Sequence, residues 1–412
     1  MKIHQDCRYF KGNMPCIFHK QERVHCKDCQ YYEKIAFRIL IVKLDAVGDV
    51  LRTTCILQGL KERWKNSHIT WLTRRNAIEL FENNEFIDTA LDCSSESLLQ
   101  IQLEKYELVI NLDAAPFSAQ LAMLANGDKK IGFGYDEKGF VYPFNEKAQK
   151  WFEMGLFDDV KRANTQSYQS IMLDICELNS SKHEVIFRLS EEERQFATGF
   201  RMRHELGDEL IIGLNTGAGK RWKQKSWTIE EYCGLIELLA NCELRIANCE
   251  SEETEQNLES QISNYEFSDK RNGTKILLLG GPEEVERNRY LAERYGNRVI
   301  DTGCDNTIRK FGALVSLCDI VVTGDTLAMH IAIGLKKEVI ALFGPTSHAE
   351  IELYGHGEKI YAGSSSSFQL KNNKLECLCC YKKDCDIHPN CMELITPQQV
   401  LDAILNACSR VT

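Results

Sequence analysis

The chain has 412 residues, of which 43% are hydrophobic and 27% are charged, so it is long enough to bury more than one core. Its net charge of −10 disfavours non-specific nucleic-acid binding, which depends on basic surfaces. The polar start and the lack of a charge-free apolar run of about 18 residues disfavour secretion and membrane spanning. We therefore expect a cytoplasmic protein with no nucleic-acid partner and at most peripheral membrane contact.

The first 36 residues are rich in cysteine and charge and have neither helical nor strand periodicity. The whole chain has 18 cysteines, and this extension contains four of them: Cys7, Cys16, Cys26 and Cys29. The spacing of Cys26 and Cys29 is that of one half of a zinc or iron–sulfur knuckle. We expect the four thiols to hold structural zinc or iron, with His19 and His25 as substitute ligands.

A strand-like run at Arg38–Leu44 opens the first regular region and ends in the turn DAVGD. An amphipathic helix is predicted over Val50–Trp64, and further strand-like runs are His68–Leu72 and Leu108–Leu112. Strands that alternate with helices indicate a parallel sheet covered on both faces. We predict an α/β, doubly wound, Rossmann-like domain over residues 37–195.

The same pattern restarts after the acidic stretch SEEERQ and predicts a second doubly wound domain over residues 208–365. Its predicted strands are Leu210–Leu214, KILLLGG (275–281), DIVVTGD (319–325) and EVIALFG (338–344), with helices at Thr228–Leu239, from Glu283 and from Leu327. A polar, acidic insertion at 243–273 has no assigned role. We expect the two domains to face each other across a cleft. Ligands are expected in the loops after the strands, at 45–49, 215–220, 281–284 and 323–326.

Asp49 follows the first strand and turn, at the start of a helix. One hypothesis is a helix N-cap, because Asp accepts hydrogen bonds from first-turn amides. The other is a general base, which needs a carboxylate at the carboxyl end of a strand. Asp45 is available for either role, so both hypotheses stay open.

The loop NTGAGKRW after Leu214 contains small residues and then Lys220. It is not a P-loop, because that motif needs Gly six positions before the Lys and Ser or Thr after it. Leu214 and Arg221 occupy those two positions. The loop is instead suited to present amides to an anion, with Lys220 neutralising phosphate charge. The alternative is a plain strand-to-helix connection.

The third loop contains Asp325 and Thr326 at the start of a helix. The amides and the positive dipole end there favour a bound anion such as a diphosphate. His330 lies about one turn inside the helix, where a packed or capping histidine is the default interpretation.

Together these motifs resemble glycosyltransferase family 9, the bacterial ADP-heptose heptosyltransferases. The matching segments are ILIVKLDAVGDVLRTT, LNTGAGKRW, LLLGGPEE and GDTLAMHIAIGLKKEVIALFGPTS, and the resemblance extends over roughly 37–365. It implies a two-domain GT-B fold, inversion at the anomeric carbon and no divalent cation in catalysis.

The resemblance also implies roles for single residues. Asp49 matches the family's base, Lys220 the lysine that stabilises the diphosphate, and Glu284 the acidic residue that holds the ribose. Leu327 stands where the family usually has Gly, which affects close backbone approach to the donor. The expected donor-binding set is Thr216, Gly217, Glu284, Asp325, Thr326, Leu327 and His330.

A second cysteine cluster, CLCCYKKDCDIHPNC, lies in a predicted finger over 366–395, ahead of a carboxy-terminal helix over 396–412. The expected ligands of structural zinc or iron are Cys377, Cys380, Cys385 and Cys391, with Cys379 as an alternative to Cys380 and His388 in reserve. The segment resembles the iron-binding finger of the autotransporter heptosyltransferase branch. Four thiolates leave no open position for substrate, so the expected role is structural.

The leading hypothesis is an enzyme that moves a heptose from ADP-heptose, or a related nucleotide sugar, to a lipopolysaccharide-core or other glycan. Protein O-heptosylation of Ser or Thr is the alternative acceptor chemistry. Two further classes are a non-catalytic, metal-stabilised GT-B binding protein and another sugar-nucleotide enzyme such as an epimerase. A homo-oligomer is possible under each hypothesis.

Overall fold

The computed structural model describes residues 2–178, 183–249, 273–364, 375 and 377–411, apart from the side chains of 220, 221, 223, 242–249 and 411. Most of the predicted insertion at 243–273 and the first part of the predicted finger therefore lie outside the described residues. The chain divides into two compact units. The first comprises Met1–Lys161 and Tyr168–Ile186, and the second comprises Arg162–Ser167 and Phe187–Thr412.

The first unit is built on a six-stranded sheet in the order β3-β2-β1-β4-β5-β6, in which only β6 runs antiparallel to its neighbour. Its strands are β1 (Phe37–Val42), β2 (Ser67–Leu72), β3 (Thr89–Leu91), β4 (Tyr106–Asn111), β5 (Gly127–Tyr135) and β6 (Val141–Pro143). Its helices are α1 (Ile17–Glu22), α2 (Val47–Thr53), α3 (Ile56–Arg63), α4 (Ser95–Leu103), α5 (Pro116–Leu124), α6 (Gln149–Leu156), α7 (Asp158–Arg162) and α8 (Tyr168–Ile175). The branched, apolar β1 is buried from Ile39 onward, which places it at the centre of the core.

The second unit has an all-parallel sheet in the order β12-β11-β10-β7-β8-β9. Its strands are β7 (Leu210–Asn215), β8 (Thr274–Leu279), β9 (Val299–Asp301), β10 (Ile320–Gly324), β11 (Glu338–Phe343) and β12 (Gly357–Tyr361). Its helices are α9 (Glu191–Arg203), α10 (Ile229–Cys249), α11 (Val285–Tyr295), α12 (Ile308–Ser316), α13 (Leu327–Gly334) and α14 (Pro397–Val411). Both β7 and β10 are completely buried, as expected for central parallel strands.

These two sheets confirm the predicted α/β class with two doubly wound parallel sheets. In each sheet the strand order reverses at the first strand, which has its neighbours on opposite sides: β1 lies between β2 and β4, and β7 lies between β8 and β10. Such a switch point opens a crevice at the carboxyl ends of the strands, where ligands bind. Ligand-binding residues are therefore expected in the loops after β1, β4, β7 and β10.

One predicted element is different in the structure. The single helix expected over Val50–Trp64 is two helices, α2 and α3, separated at Thr54 and Cys55. The Thr54 hydroxyl donates to the Leu51 carbonyl (2.7 Å) and accepts from the Ile186 amide (2.8 Å). A hydroxyl that bonds to backbone groups in this way competes with regular helical hydrogen bonding. The partner is 132 residues away, so periodicity contained no sign of the break.

The carboxy-terminal segment is part of the core of the second unit. Met392 and Ile395 are buried in the same apolar cluster as the strands, and the Trp227 indole donates to the Ile395 carbonyl at 2.8 Å. Helix α14 contributes several side chains to that cluster, among them Val400 and Ile404. Among the described residues, no helix is both long enough and apolar enough to cross a bilayer.

Candidate functional site

Asp49 lies at the carboxyl edge of the first sheet, as the third residue of α2. Ala46 occupies the N-cap position, and the Asp49 carboxylate accepts from the Ala46 amide at 3.3 Å. The side chain is 37% exposed, so its carboxylate is accessible while being fixed in orientation. The neighbouring candidate Asp45 is bound instead to Arg74, whose Nε lies 2.9 and 2.8 Å from its two oxygens.

Two buried side chains, Arg52 and Tyr168, fix the position of Asp49. The Arg52 guanidinium lies 2.8 Å from the Asp49 carboxylate and is itself only 10% exposed. It stacks on the ring of Tyr168 at 3.6 Å from the ring centroid, and the Tyr168 hydroxyl is 2.6 Å from the Thr53 hydroxyl. Because Thr53 also donates to the Asp49 carbonyl, α2 and α8 are joined around the carboxylate. Sequence analysis missed Arg52 and Tyr168.

A buried ion pair between Lys43 and Asp113 joins the ends of β1 and β4. Burial acts to lower the pKa of the Lys43 ammonium, but the carboxylates of Asp113 and Asp49 outweigh it, so this pKa is raised and the lysine stays charged. Asp113 also accepts from the Leu44 amide. This pair fixes the strand end from which the turn with Asp49 starts.

In the second unit, Asn215 connects the loops after β7 and β10. Its amide nitrogen donates to the Gly217 carbonyl at 2.9 Å, and it lies 3.1 Å from the Thr323 hydroxyl and 3.3 Å from the Thr326 hydroxyl. The two central strands of the switch point are thereby held together at the edge where a ligand is expected.

The predicted donor residues Gly217 and Glu284 are in direct contact. A Cβ added to Gly217 would lie 2.0 Å from the Glu284 carboxyl carbon, so only glycine permits this approach. Glu284 is 7% exposed and accepts from the Gly281 amide at 2.9 Å. Thr216, by contrast, is completely buried, and its hydroxyl donates to Asn288 at 2.5 Å.

Asp325 forms an ion pair with Lys225, a residue that sequence analysis missed. The Lys225 ammonium lies 2.6 Å from the Asp325 carboxylate and 3.1 Å from its carbonyl oxygen, and both side chains are largely buried. The Lys225 carbonyl lies so close to Gly324 that a Cβ there would be 2.5 Å from it. No local signal in the sequence marked Lys225, because its partner lies 100 positions away along the chain.

Lys220, the lysine chosen from the sequence, begins the short 3-10 segment Lys220–Lys225. Its side chain lies outside the described part of the chain. Its role therefore remains a prediction, and Lys225 is a second cation on the same loop with a defined position next to Asp325.

The remaining predicted donor residues lie on one turn. Thr326 is the N-cap of α13, Leu327 is its first residue, and His330 is 4% exposed with Nε2 4.0 Å from the Asp325 carboxylate. The structure therefore groups Asp325, Thr326, Leu327 and His330 around the amino end of α13. That end supplies amides and a positive dipole for an anion.

The carboxy-terminal cysteines are also neighbours. Burial, and then the thiols of Cys380, Cys385 and Cys377, raise the pKa of the Cys391 thiol to about 12. Burial raises the pKa of the Cys379 thiol, the Ser347 hydrogen bond opposes that shift, and the charge of Glu350 adds to it. In the described part of the chain, however, no three His, Cys, Asp or Glu side chains are grouped so as to hold a metal ion.

Comparison with protein families identifies one family model. The model described as glycosyltransferase family 9 (heptosyltransferase) matches residues 98–268 and 268–381, which is more than half of the chain. The turn with Asp49 lies before the matched region. The lipooligosaccharide heptosyltransferase 2 of Campylobacter jejuni serotype O:6 is 27% identical over 135 residues, which are 32% of this chain and 40% of that protein. The chain thus spans about two fifths of the length of the curated relatives it matches.

Two solved structures illustrate the likeness in fold. The family 9 glycosyltransferase of Veillonella parvula DSM 2008 has a TM-score of 0.66 at 19% identity, covering 91% of this chain and 98% of that one. TibC of enterotoxigenic E. coli H10407, described as a dodecameric iron-containing heptosyltransferase in complex with ADP-D-beta-D-heptose, has a TM-score of 0.53 at 9% identity. That match covers 92% of this chain and 78% of TibC. The two units thus have the fold of GT-B heptosyltransferases.

Proposed function

The chain belongs to glycosyltransferase family 9, and we propose that it transfers a heptose from ADP-heptose to a hydroxyl group of a lipopolysaccharide-core or other glycan, with inversion at the anomeric carbon. A glycan acceptor agrees with the lipooligosaccharide named for the Campylobacter jejuni relative. In this proposal the first unit supplies the base and the second unit binds the donor.

In the proposed reaction the oxygen of the acceptor hydroxyl forms the new bond to the anomeric carbon, and Asp49 accepts the proton of that hydroxyl. The bond between that carbon and the diphosphate oxygen breaks, and its electron pair leaves with ADP. Arg52 and Tyr168 are positioning residues, because the Arg52 guanidinium stacks on the Tyr168 ring and lies 2.8 Å from the Asp49 carboxylate. A fixed carboxylate need not reorganise during proton transfer.

The departing ADP gains negative charge, which the second unit is suited to stabilise. The amino end of α13 offers amides, and Lys225 offers an ammonium already oriented by Asp325. Glu284 would hold the ribose hydroxyls from its position against Gly217. No divalent cation is needed in this scheme, because the amides and the lysine carry the compensating charge.

The proposal depends most on one observation. Four residues from three separate loops, namely Gly217, Glu284, Lys225 and Asp325, contact one another in pairs at the carboxyl edge of the second sheet. That edge is where doubly wound folds bind nucleotides.

A thermal-shift screen with nucleotide diphosphates and their sugars tests the donor. A ligand at 100 times its dissociation constant adds about 2.7 kcal/mol of stability. We expect ADP and ADP-sugars to raise the melting temperature by several degrees, and UDP, GDP and their sugars to raise it by much less. Equal shifts with all nucleotides, or a preference for UDP or GDP, would contradict the assigned donor.

We also propose a structural zinc or iron ion at Cys377, Cys380, Cys385 and Cys391. The support is the proximity of the other three thiols to Cys391 and the affinity of thiolates for these metals. Metal analysis of the purified chain is expected to show one equivalent fewer in Cys391→Ser. Cys379→Ser is the matched control and is expected to retain the wild-type content. Equal metal content in Cys391→Ser and the wild type would refute this site.

A further inference from the structure

The amino-terminal extension has a defined conformation but no apolar core. Among the described residues, the first buried hydrophobic side chain is Ile39, so residues 2–36 contribute none. Their only helices are the six-residue α1 and a three-residue 3-10 turn at Cys26–Asp28. Elements this short are not stable in isolation, and ordering about 35 residues without burial is costly in entropy. A segment of this kind needs a cross-link or a metal to fold.

The four cysteines of this extension line a single cavity of about 200 Å³. They reach it from different places in the chain: Cys7 from a bridge to Lys34, Cys16 from the start of α1, and Cys26 and Cys29 from the 3-10 turn. The Cys29 amide donates to the Cys26 carbonyl, which places both side chains on one short turn. All four are free thiols. Among the described residues, no three His, Cys, Asp or Glu side chains are close enough to hold a metal ion, so binding requires the thiols to move closer together.

Aromatic rings and an excess of basic residues characterise the surroundings of this cavity. Aromatic rings form part of its wall: Phe18 stacks on Tyr31 at 3.9 Å and meets Tyr9 edge-on at 4.8 Å. Residues 1–36 contain seven Lys or Arg and four Asp or Glu, a net charge of +3 in a chain of net charge −10. This local excess of positive charge offsets the net negative charge of a divalent ion held by four sulfur ligands.

Two histidines, His19 and His25, also line this cavity. His19 Nδ1 is 2.9 Å from the Val24 carbonyl, so this nitrogen is engaged by the backbone. The His19 and His25 rings are 5.2 Å apart and meet edge-on. Because the Nδ1 contact leaves Nε2 available, the preference for the thiols rests on their number: four thiolates already fill a tetrahedral site.

We propose that Cys7, Cys16, Cys26 and Cys29 together hold one transition-metal ion, zinc or iron, and that this ion folds the extension. The four thiolates complete a tetrahedral site, which leaves no position for a substrate. The inference stands apart from the proposed reaction, because it rests on the extension alone.

The position of the extension defines what the ion does. Arg8 donates to the carbonyl of Ser67, the first residue of β2, at 3.0 Å and forms an ion pair with Asp88 just before β3. Lys61 of α3 binds the same carboxylate at 2.8 Å. The extension therefore covers the amino edge of the sheet, whereas Asp49 follows the carboxyl edge. The ion stabilises the first unit from the edge opposite to the proposed base.

Metal content measured by mass spectrometry on the full chain, purified without a metal-binding tag, tests this site. Cys26→Ser and Cys7→Ser are each expected to contain one equivalent of zinc or iron fewer than the wild type. Two controls, Cys93→Ser and His19→Ala, are expected to keep the wild-type content. Which element is lost identifies the metal.

A second measurement is independent of whether the variants fold. A chelator added to the wild-type chain is expected to release both proposed ions, to expose eight further titratable thiols and to open residues 2–36 to trypsin. In Cys26→Ser, which leaves the carboxy-terminal cysteines intact, nucleotide-induced thermal shifts of the second unit should persist, which separates this site from the donor site. Wild-type metal content in Cys26→Ser, loss of metal in His19→Ala, or disulfides among these cysteines would each overturn the proposal.

Discussion

Replacing Asp49 by asparagine is expected to reduce glycosyl transfer by about 100- to 10,000-fold while leaving ADP binding nearly unchanged. Asparagine has the same shape and still accepts the Ala46 amide hydrogen bond, so α2 should keep its first turn. It cannot accept a proton from the acceptor hydroxyl at neutral pH. The measurement is the initial rate of ADP release with acceptor present, together with the dissociation constant of ADP.

The controls for Asp49→Asn separate chemistry from folding. Asp128→Asn changes an exposed carboxylate that pairs with Lys105 in the same unit, and it should keep wild-type activity. The melting temperature of Asp49→Asn shows whether the loss of charge beside the buried Arg52 unfolds the unit. Asp45→Asn tests the alternative carboxylate. Full turnover in a pure, folded Asp49→Asn preparation would reject Asp49 as the base.

Replacing Lys225 by alanine is expected to lower transfer by about 100-fold or more, because the departing diphosphate loses its oriented cation. The same change removes the ion pair that offsets the negative charge of Asp325, so the affinity for ADP should also fall. Lys225→Arg should restore part of both, since it keeps the charge with a different shape. Steady-state rates and ADP titration calorimetry measure the two effects.

The comparison that decides between the two lysines is Lys225→Ala against Lys220→Ala. If Lys225 carries the role, its variant has the larger loss in rate and in ADP affinity. Lys275→Ala is the neutral control, because this ammonium donates to the Asn297 carbonyl at the opposite edge of the sheet. A larger loss in Lys220→Ala would return the role to the residue first selected from the sequence.

Local patterns predicted the architecture well. Apolar runs such as Arg38–Leu44 and Leu210–Leu214 identified the central strands within two residues of β1 and β7. The rule that ligands bind after parallel strands then directed attention to the loops around Asp49 and Asp325. These features depend on neighbouring residues, so a single sequence contains them.

Side-chain contacts across long separations were not predictable in the same way. Tyr168 supports Arg52 from 116 positions along the chain, and Lys225 meets Asp325 across 100 positions. Periodicity describes which face of an element is buried, but it does not say which distant residue lies opposite. This is why sequence analysis selected Lys220 and left Lys225 unassigned.

The carboxy-terminal cysteine segment is joined to the second unit from within. Met392 and Ile395 fill part of the interior, and Ile395 receives the indole hydrogen bond of Trp227, two residues after Lys225. Removing the segment would leave a void beneath the turn that orients this lysine. We therefore expect this segment to unfold together with the Rossmann-like unit that it completes and not as an independent appendage.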